Sequence, residues 1–147
     1  CGDILFAGSG ETAEEIGKCV SYLDKDEAYA GGDIVVLRPN DTDSLFLGFL
    51  LNVPYVATQK AMLGQGDAVV HISAKNLADI EINLPLNRNE QKAIAQVIFN
   101  IDTEISSLES KLAKYHSIKQ GMMQELLTGK IRLLTDPIEV TKEKSLV

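Results

Sequence analysis

Between Asn87 and Gly129, apolar residues fall at alternating steps of four and three for more than four heptads: Ile94, Ile98, Ile101, Ile105, Leu108, Leu112, Tyr115, Met122 and Leu126, with Lys119 the one break. A 3.5-residue period keeps a single apolar seam aimed at a neighbouring helix, so the pattern predicts one arm of a coiled coil rather than a helix lying on its own domain. Asn87 with Glu90 three residues on is a capping-box-like start, with Asn in the place of Ser or Thr, and Gly129 after Leu127-Thr128 is a helix stop. A continuous helix from Arg88 to Thr128 would run roughly 60 Å at 1.5 Å per residue, longer than a small domain is wide. The competing arrangement is a bent helix or helical hairpin broken at Gln120-Gly121. Glycine inside a helix costs only about 1 kcal/mol relative to alanine, which favours the continuous helix. The sequence contains no second heptad run, so the partner helix is expected from another chain or from a missing part of this one.

With residues 87–129 assigned to the helix and 130–147 read as a partly disordered extension, residues 1–86 of the 147 remain to build a globular core. The opening Cys1 to Ala7, a turn and a strand with no Met, reads as the middle of a longer protein. Cys1 and Cys19 make neither a disulfide framework nor a zinc spacing, and no signal peptide or membrane-spanning apolar run is visible. The expectation is a reduced, cytoplasmic protein. Residues 1–86 carry 13 acidic and 5 basic side chains, net −8, and residues 87–147 carry 8 acidic and 9 basic, net +1. An acidic globular part argues against strong non-specific DNA binding, which needs clustered Lys and Arg.

The expected fold class is α+β: a small mixed α/β globular domain followed by a long C-terminal coiled-coil helix. Asp3 to Ala7 reads as a buried strand followed by the turn Gly8-Ser9-Gly10, and Glu11 to Lys18 as loop or short helix. Ile34 to Arg38 is a second apolar strand, ended by Pro39. Asp43 is placed to cap a helix over Ser44 to Asn52, a short segment spans Thr58 to Leu63, and Ala68 to Ile72 reads as a third strand. Ser73 is placed to cap one helical turn through Leu77. Ile80, Ile82 and Leu84 alternate with Glu81 and Asn83, the period of a half-buried strand ended by Pro85.

Gly8-x-Gly10-x-x-Ala13 directly after a strand matches a dinucleotide fingerprint. Against it, Glu11, Glu14 and Glu15 would crowd a diphosphate at a helix N-terminus, and the Ile34 strand ends in Arg38-Pro39 rather than in an acid for the ribose. Gly17-Lys18 is not a phosphate loop, because Thr12 stands where its first Gly belongs and Cys19 follows the Lys. Cys1 would be a nucleophile with its own amine as base only if the mature chain begins there. His71 and His116 have no second ligand at metal spacing and read as core or surface histidines. No cofactor is expected.

Around the start of the long helix stands Asn83-Leu84-Pro85-Leu86-x3-Glu90-Gln91-x2-Ile94-Ala95, then Ile101-Asp102-x2-Ile105. At its end stands Lys119-Gln120-Gly121-Met122-Met123-Gln124-x-Leu126-Leu127-Thr128-Gly129-Lys130-Ile131-Arg132-Leu133. This set resembles the C-terminal conserved region of specificity (S) subunits of type I restriction-modification enzymes. Upstream, Gly2 to Phe6 with its Ser9-Gly10 turn, and Leu77-x2-Ile80-x-Ile82-x-Leu84-Pro85, resemble the latter part of that family's target recognition domain. The resemblance covers nearly the whole chain. It departs where Gly8 stands in a place often held by Arg, and in the Glu-rich loop that follows.

The resemblance implies a non-catalytic DNA-reading subunit. In such enzymes two recognition domains, held apart by an antiparallel pair of conserved helices, each read half of a bipartite target in double-stranded DNA. Methylation (M) subunits bind along those helices, and restriction (R) subunits cleave. The helix would then pair with an antiparallel helix of the same subunit or with a second copy, with no membrane involved. A coiled-coil adapter without DNA binding is the alternative. Ser9, Arg38, Gln59, Lys60 and Lys75, read as exposed polar loop residues, are the candidates for reaching DNA, since Arg and Lys suit guanine and Gln suits adenine in the major groove. Taken singly, each is more plainly read as a solvated loop residue.

Overall fold

In β1 (Asp3–Ala7) the side chains alternate between the core and the opposite face, and Ile4 and Phe6, 0% and 3% exposed, point inward. That two-residue period decides which sheet face is covered. The computed structural model describes residues 1–66 and 69–133. The chain divides into a first compact unit, Cys1–Asn100, and a second beginning at Ile101.

In the first unit β1 is the central strand of a three-stranded antiparallel sheet, between β3 (Cys19–Tyr22) and β4 (Ile34–Leu37). Between β1 and β3 the chain makes a detour in which β2 (Ser9–Gly10) pairs antiparallel with β5 (Val70–His71). The Gly8-Ser9-Gly10 stretch expected as a turn thus contributes a short strand. This topology also removes the dinucleotide reading. Both neighbours of β1 run antiparallel to it, and the described chain has no helix between Gly10 and β4, so the parallel crossover that the fingerprint requires is not formed.

Helix α1 (Ser44–Leu50) starts where the sequence places it: Asp43 accepts the Phe46 N–H at 3.0 Å in the N-cap position. Its Phe46, Leu47 and Gly48 are buried, and Leu47 and Leu51 join Ile4, Phe6 and Val56 in the main core. Each such apolar side chain contributes about 1.5–3 kcal/mol when fully buried. A side chain at Gly48 would place its Cβ 2.0 Å from the Ser21 hydroxyl, so glycine is what lets α1 close onto β3; Ser21 in turn donates to the Ser44 carbonyl at 2.7 Å. Helix α2 (Pro54–Leu63) is longer than the expected Thr58–Leu63 segment, because Pro54 supplies a pre-set first helical residue. Helix α3 (Ala74–Ala78) is capped by Ser73 as expected, its hydroxyl accepting the Asn76 N–H at 3.2 Å. Ile16, Val70 and Ile72 form a second, smaller core.

The strand expected over Ile80–Leu84 is not formed. Ile80 and Ile82 do pack against the main core, but the backbone of Glu81 is engaged by the Gln59 side chain, which accepts its N–H and donates to its carbonyl, both at 2.9 Å. Alternation there reports which residues are covered and not a strand ladder. Cys19–Tyr22, for which no strand was anticipated, is too short to show a pattern of its own. The Ala68 start of the third expected strand and the extension beyond Leu133 lie outside the described residues.

Helix α4 (Arg88–Leu127) is continuous through Gln120-Gly121, so the hairpin alternative is not adopted. Asn87 accepts the Asn89 N–H at 2.9 Å at its start, and Gly129, at φ +75°, closes its end with its N–H on the Leu126 carbonyl. No described helix is long and apolar enough to cross a membrane.

Candidate nucleic-acid contacts and assembly seam

The five candidate contact residues separate once placed. Ser9 is half-buried in β2 and its hydroxyl donates to the Asp33 carboxylate at 3.2 Å. Its register partner in β5 is His71, which is exposed and also bridges to Gln65 through paired backbone hydrogen bonds of 2.8 and 2.9 Å. Lys75 is exposed on α3, just beyond the Ser73 cap. Arg38 follows β4 with its guanidinium exposed, gripping Asp3 through two hydrogen bonds of 2.8 Å. That pairing draws the Asp3 carboxyl below the usual carboxylate range and pushes the arginine up.

Gln59 and Lys60 correct the picture of exposed loop residues. Both lie on α2, and Gln59 spends its whole amide on Glu81. Lys60 is 1% exposed, and its ammonium donates to the carbonyls of Gly17 at 2.6 Å and Leu51 at 2.9 Å. Burial pushes its amine below the usual lysine range. Gly17 has φ +67°, and a Cβ there would lie 2.8 Å from the Lys60 side chain, so glycine and lysine fit each other. Lys60 therefore ties the Gly17 turn to the end of α1. Neighbouring Cys19 is half-buried with its thiol pushed up by burial, against the opposing pull of Lys60 and Asn52. Among the described residues no three His, Cys, Asp or Glu side chains stand together as a metal site.

The heptad residues lie in both units. In the first, Ile94 is exposed and Ile98 half-buried; in the second, Ile101, Ile105, Leu108, Leu112, Tyr115 and Met122 are all exposed and Leu126 is half-buried. Among the described residues nothing covers the seam beyond Ile101. Leaving so many Ile and Leu side chains in water forgoes the stabilisation that burial would bring.

The family model described as the type I restriction modification DNA specificity domain matches residues 2–115, most of the sheet-bearing unit and the first two-thirds of α4. The chain belongs to this family. Two similar proteins are specificity subunits from Methanocaldococcus jannaschii. One is named a putative type I restriction enzyme MjaX specificity subunit, 31% identical over 86% of this chain. The other is named the type I restriction enzyme MjaVIII specificity subunit, 32% identical over 86% of this chain. This specificity-domain chain spans 30% and 28% of the lengths of those two relatives.

In this specificity-domain chain the Pro85-x4-Glu90-Gln91-x2-Ile94-Ala95 run has a visible structural task. Gln91 is 1% exposed; its amide donates to the Pro85 carbonyl at 2.7 Å and accepts the Asp43 N–H at 2.9 Å. Ala95, one turn on, is 1% exposed. The motif thus seats the first turns of α4 on the rest of the first unit. The sequence reading used Gln91 as a family marker and missed this role. His71, read as a core or surface histidine, lies at the surface; its place beside Ser9 had no local signature, because the pairing of β2 with β5 joins segments some sixty residues apart.

Proposed function

We propose that this chain is part of the DNA sequence-recognition subunit of a type I restriction-modification complex, a non-catalytic component working in the cytoplasm. Residues 1–86 would contribute to reading one half of a bipartite double-stranded target. Residues 87–129 would space the two halves and assemble with methylation subunits, with restriction subunits as further partners. Membership of the specificity-domain family carries this reading, since the match runs through both the sheet-bearing unit and much of α4.

The geometry supports a division of labour within the chain. Of the five candidate contact residues, Ser9, Arg38 and Lys75 keep polar groups toward solvent, whereas Gln59 and Lys60 hold the fold. His71 joins Ser9 as a further candidate by strand pairing. The net −8 of residues 1–86 fits a reader that depends on neighbouring subunits for much of its phosphate contact.

The test is a domain exchange. Residues 1–86 replace the matching stretch of a complete specificity subunit assembled with its methylation subunit, and modified sites are mapped by sequencing. One half-site is expected to change and the other to persist. Inserting whole heptads within α4 is expected to lengthen the gap while leaving both half-sites as they were. An exchange that leaves both half-sites unaltered, or an insertion that alters one, would overturn the reading.

A further inference from the structure

Val70 and Ile72, 8% and 3% exposed, turn their side chains into the smaller core with Ile16, so the two-residue period along 70–72 sends the intervening His71 to the opposite, exposed face. His71 has a register neighbour on each side. Ser9 of β2 stands opposite it on one edge, and Gln65, also exposed, is bridged to it on the other by the paired backbone hydrogen bonds. Residues directly opposite in an antiparallel pair present their side chains on one face. Ser9, His71 and Gln65 therefore form a row drawn from three chain segments, and the Ser9 hydroxyl extends it to the exposed Asp33 carboxylate at 3.2 Å.

Gln59 and Gln91 spend their amides on backbone groups of the first unit. Among the described residues the Gln65 amide and the His71 imidazole are committed to no such bond and face solvent. Neighbouring segments about 4.8 Å apart set these two side chains within one or two base-pair steps of about 3.4 Å. The major groove admits a β-ribbon, and there an amide matches N6 and N7 of adenine while an imidazole N–H matches the O6 and N7 acceptors of guanine. The Asp33 carboxylate at the end of the row repels a phosphate, which aims the row at base edges and not at the DNA backbone. Lys75, exposed on α3 four residues beyond His71, carries the positive charge that a phosphate takes.

Resting on the reading of residues 1–86 as part of a DNA-recognition subunit, we propose that Gln65 and His71 select bases in the major groove, Gln65 an adenine and His71 a guanine, while Lys75 holds a phosphate beside them. The two bases lie one or two steps apart in the same half-site. Sequence selection then rests on a pair of residues that strand pairing brings together, and Lys75 positions the DNA without discriminating among sequences.

The experiment uses the complete specificity subunit carrying residues 1–86, assembled with its methylation subunit, with modified sites mapped by sequencing. Gln65→Ala and His71→Ala are each expected to relax one base pair of the half-site that follows residues 1–86, with discrimination there falling about tenfold or more and the other half-site unchanged. Gln65→Glu is expected to shift its position from adenine toward cytosine, whose amino group a carboxylate accepts. Lys75→Ala is expected to weaken binding at all sites alike and to reduce its salt dependence, leaving the modified sequence as it was. Modification that is merely slowed, or unchanged, with the parent sequence retained in the Gln65 and His71 variants would overturn the proposal while leaving the recognition reading in place. Relaxed sequence in Lys75→Ala would overturn its positioning role. If the exchange of residues 1–86 itself alters neither half-site, the recognition reading falls and the proposal with it.

Discussion

The side chain of Gln91, on the first turn of α4, accepts the backbone N–H of Asp43, the N-cap of α1, at 2.9 Å. With its donation to the Pro85 carbonyl it satisfies two backbone groups from different segments through one buried amide. Gln91→Leu is therefore expected to destabilise the first unit by about 1–3 kcal/mol per group left unpaired, read by chemical denaturation. Gln91→Glu keeps the acceptor for Asp43 and loses the donor to Pro85, so an intermediate loss is expected. Equal stability of all three proteins would show that this junction contributes nothing.

Lys60→Met keeps most of the apolar stem and removes the ammonium from the Gly17 and Leu51 carbonyls. A loss of about 2–4 kcal/mol is expected for two buried carbonyls without donors. The pH dependence has a defined sign. Because burial holds the folded amine below the ordinary lysine value, the unfolded chain binds more protons between those two values. Stability of the parent relative to Lys60→Met is thus expected to rise as pH climbs through that window. A relative stability that falls there would contradict the assignment.

The Asp3–Arg38 pair is exposed and makes only a modest contribution. Its direction is still testable. The depressed Asp3 carboxyl favours the fold above the ordinary carboxylate range, and this is lost as pH falls through the lowered folded value. In Arg38→Ala the Asp3 carboxyl resonance, followed by NMR, is expected to titrate at higher pH than in the parent. An unchanged titration would mean that the two side chains are not paired in solution.

Ile101→Asp with Leu108→Asp puts two carboxylates into the seam. Association of the chain through the seam, read by sedimentation, is expected to be lost while the helical far-ultraviolet circular dichroism is retained. Binding undiminished by the double substitution would place the partner surface elsewhere on α4.

For DNA, the net −8 of residues 1–86 predicts weak sequence-selective binding by this chain alone at physiological salt. A gel shift showing tight, selective binding by the isolated chain would contradict it. Lys75→Ala and His71→Ala, introduced into the assembled complex, are expected to weaken target binding with little change in chain stability, since both side chains are exposed.

Local signals carried much of the architecture. The 3.5-residue period, Asn87 and Gly129 marked α4 almost to the residue, because caps and heptads act within a turn or two of chain. Asp43 and Ser73 marked α1 and α3 for the same reason, and the apolar run from Ile4 to Ala7 marked β1 as a strand. Pairing decided the rest. Ile80–Leu84 alternates as a strand does, yet the Gln59 amide occupies the backbone of Glu81. Lys60 reads as a surface cation until Gly17 and Leu51 are seen to supply carbonyls from segments 43 and 9 residues away. The sequence by itself determined the helical seam and the caps, whose physics is local. Only the tertiary structure decided which polar side chains remain free to meet a ligand, because a buried polar group takes whatever partner the fold brings to it, however distant in the chain.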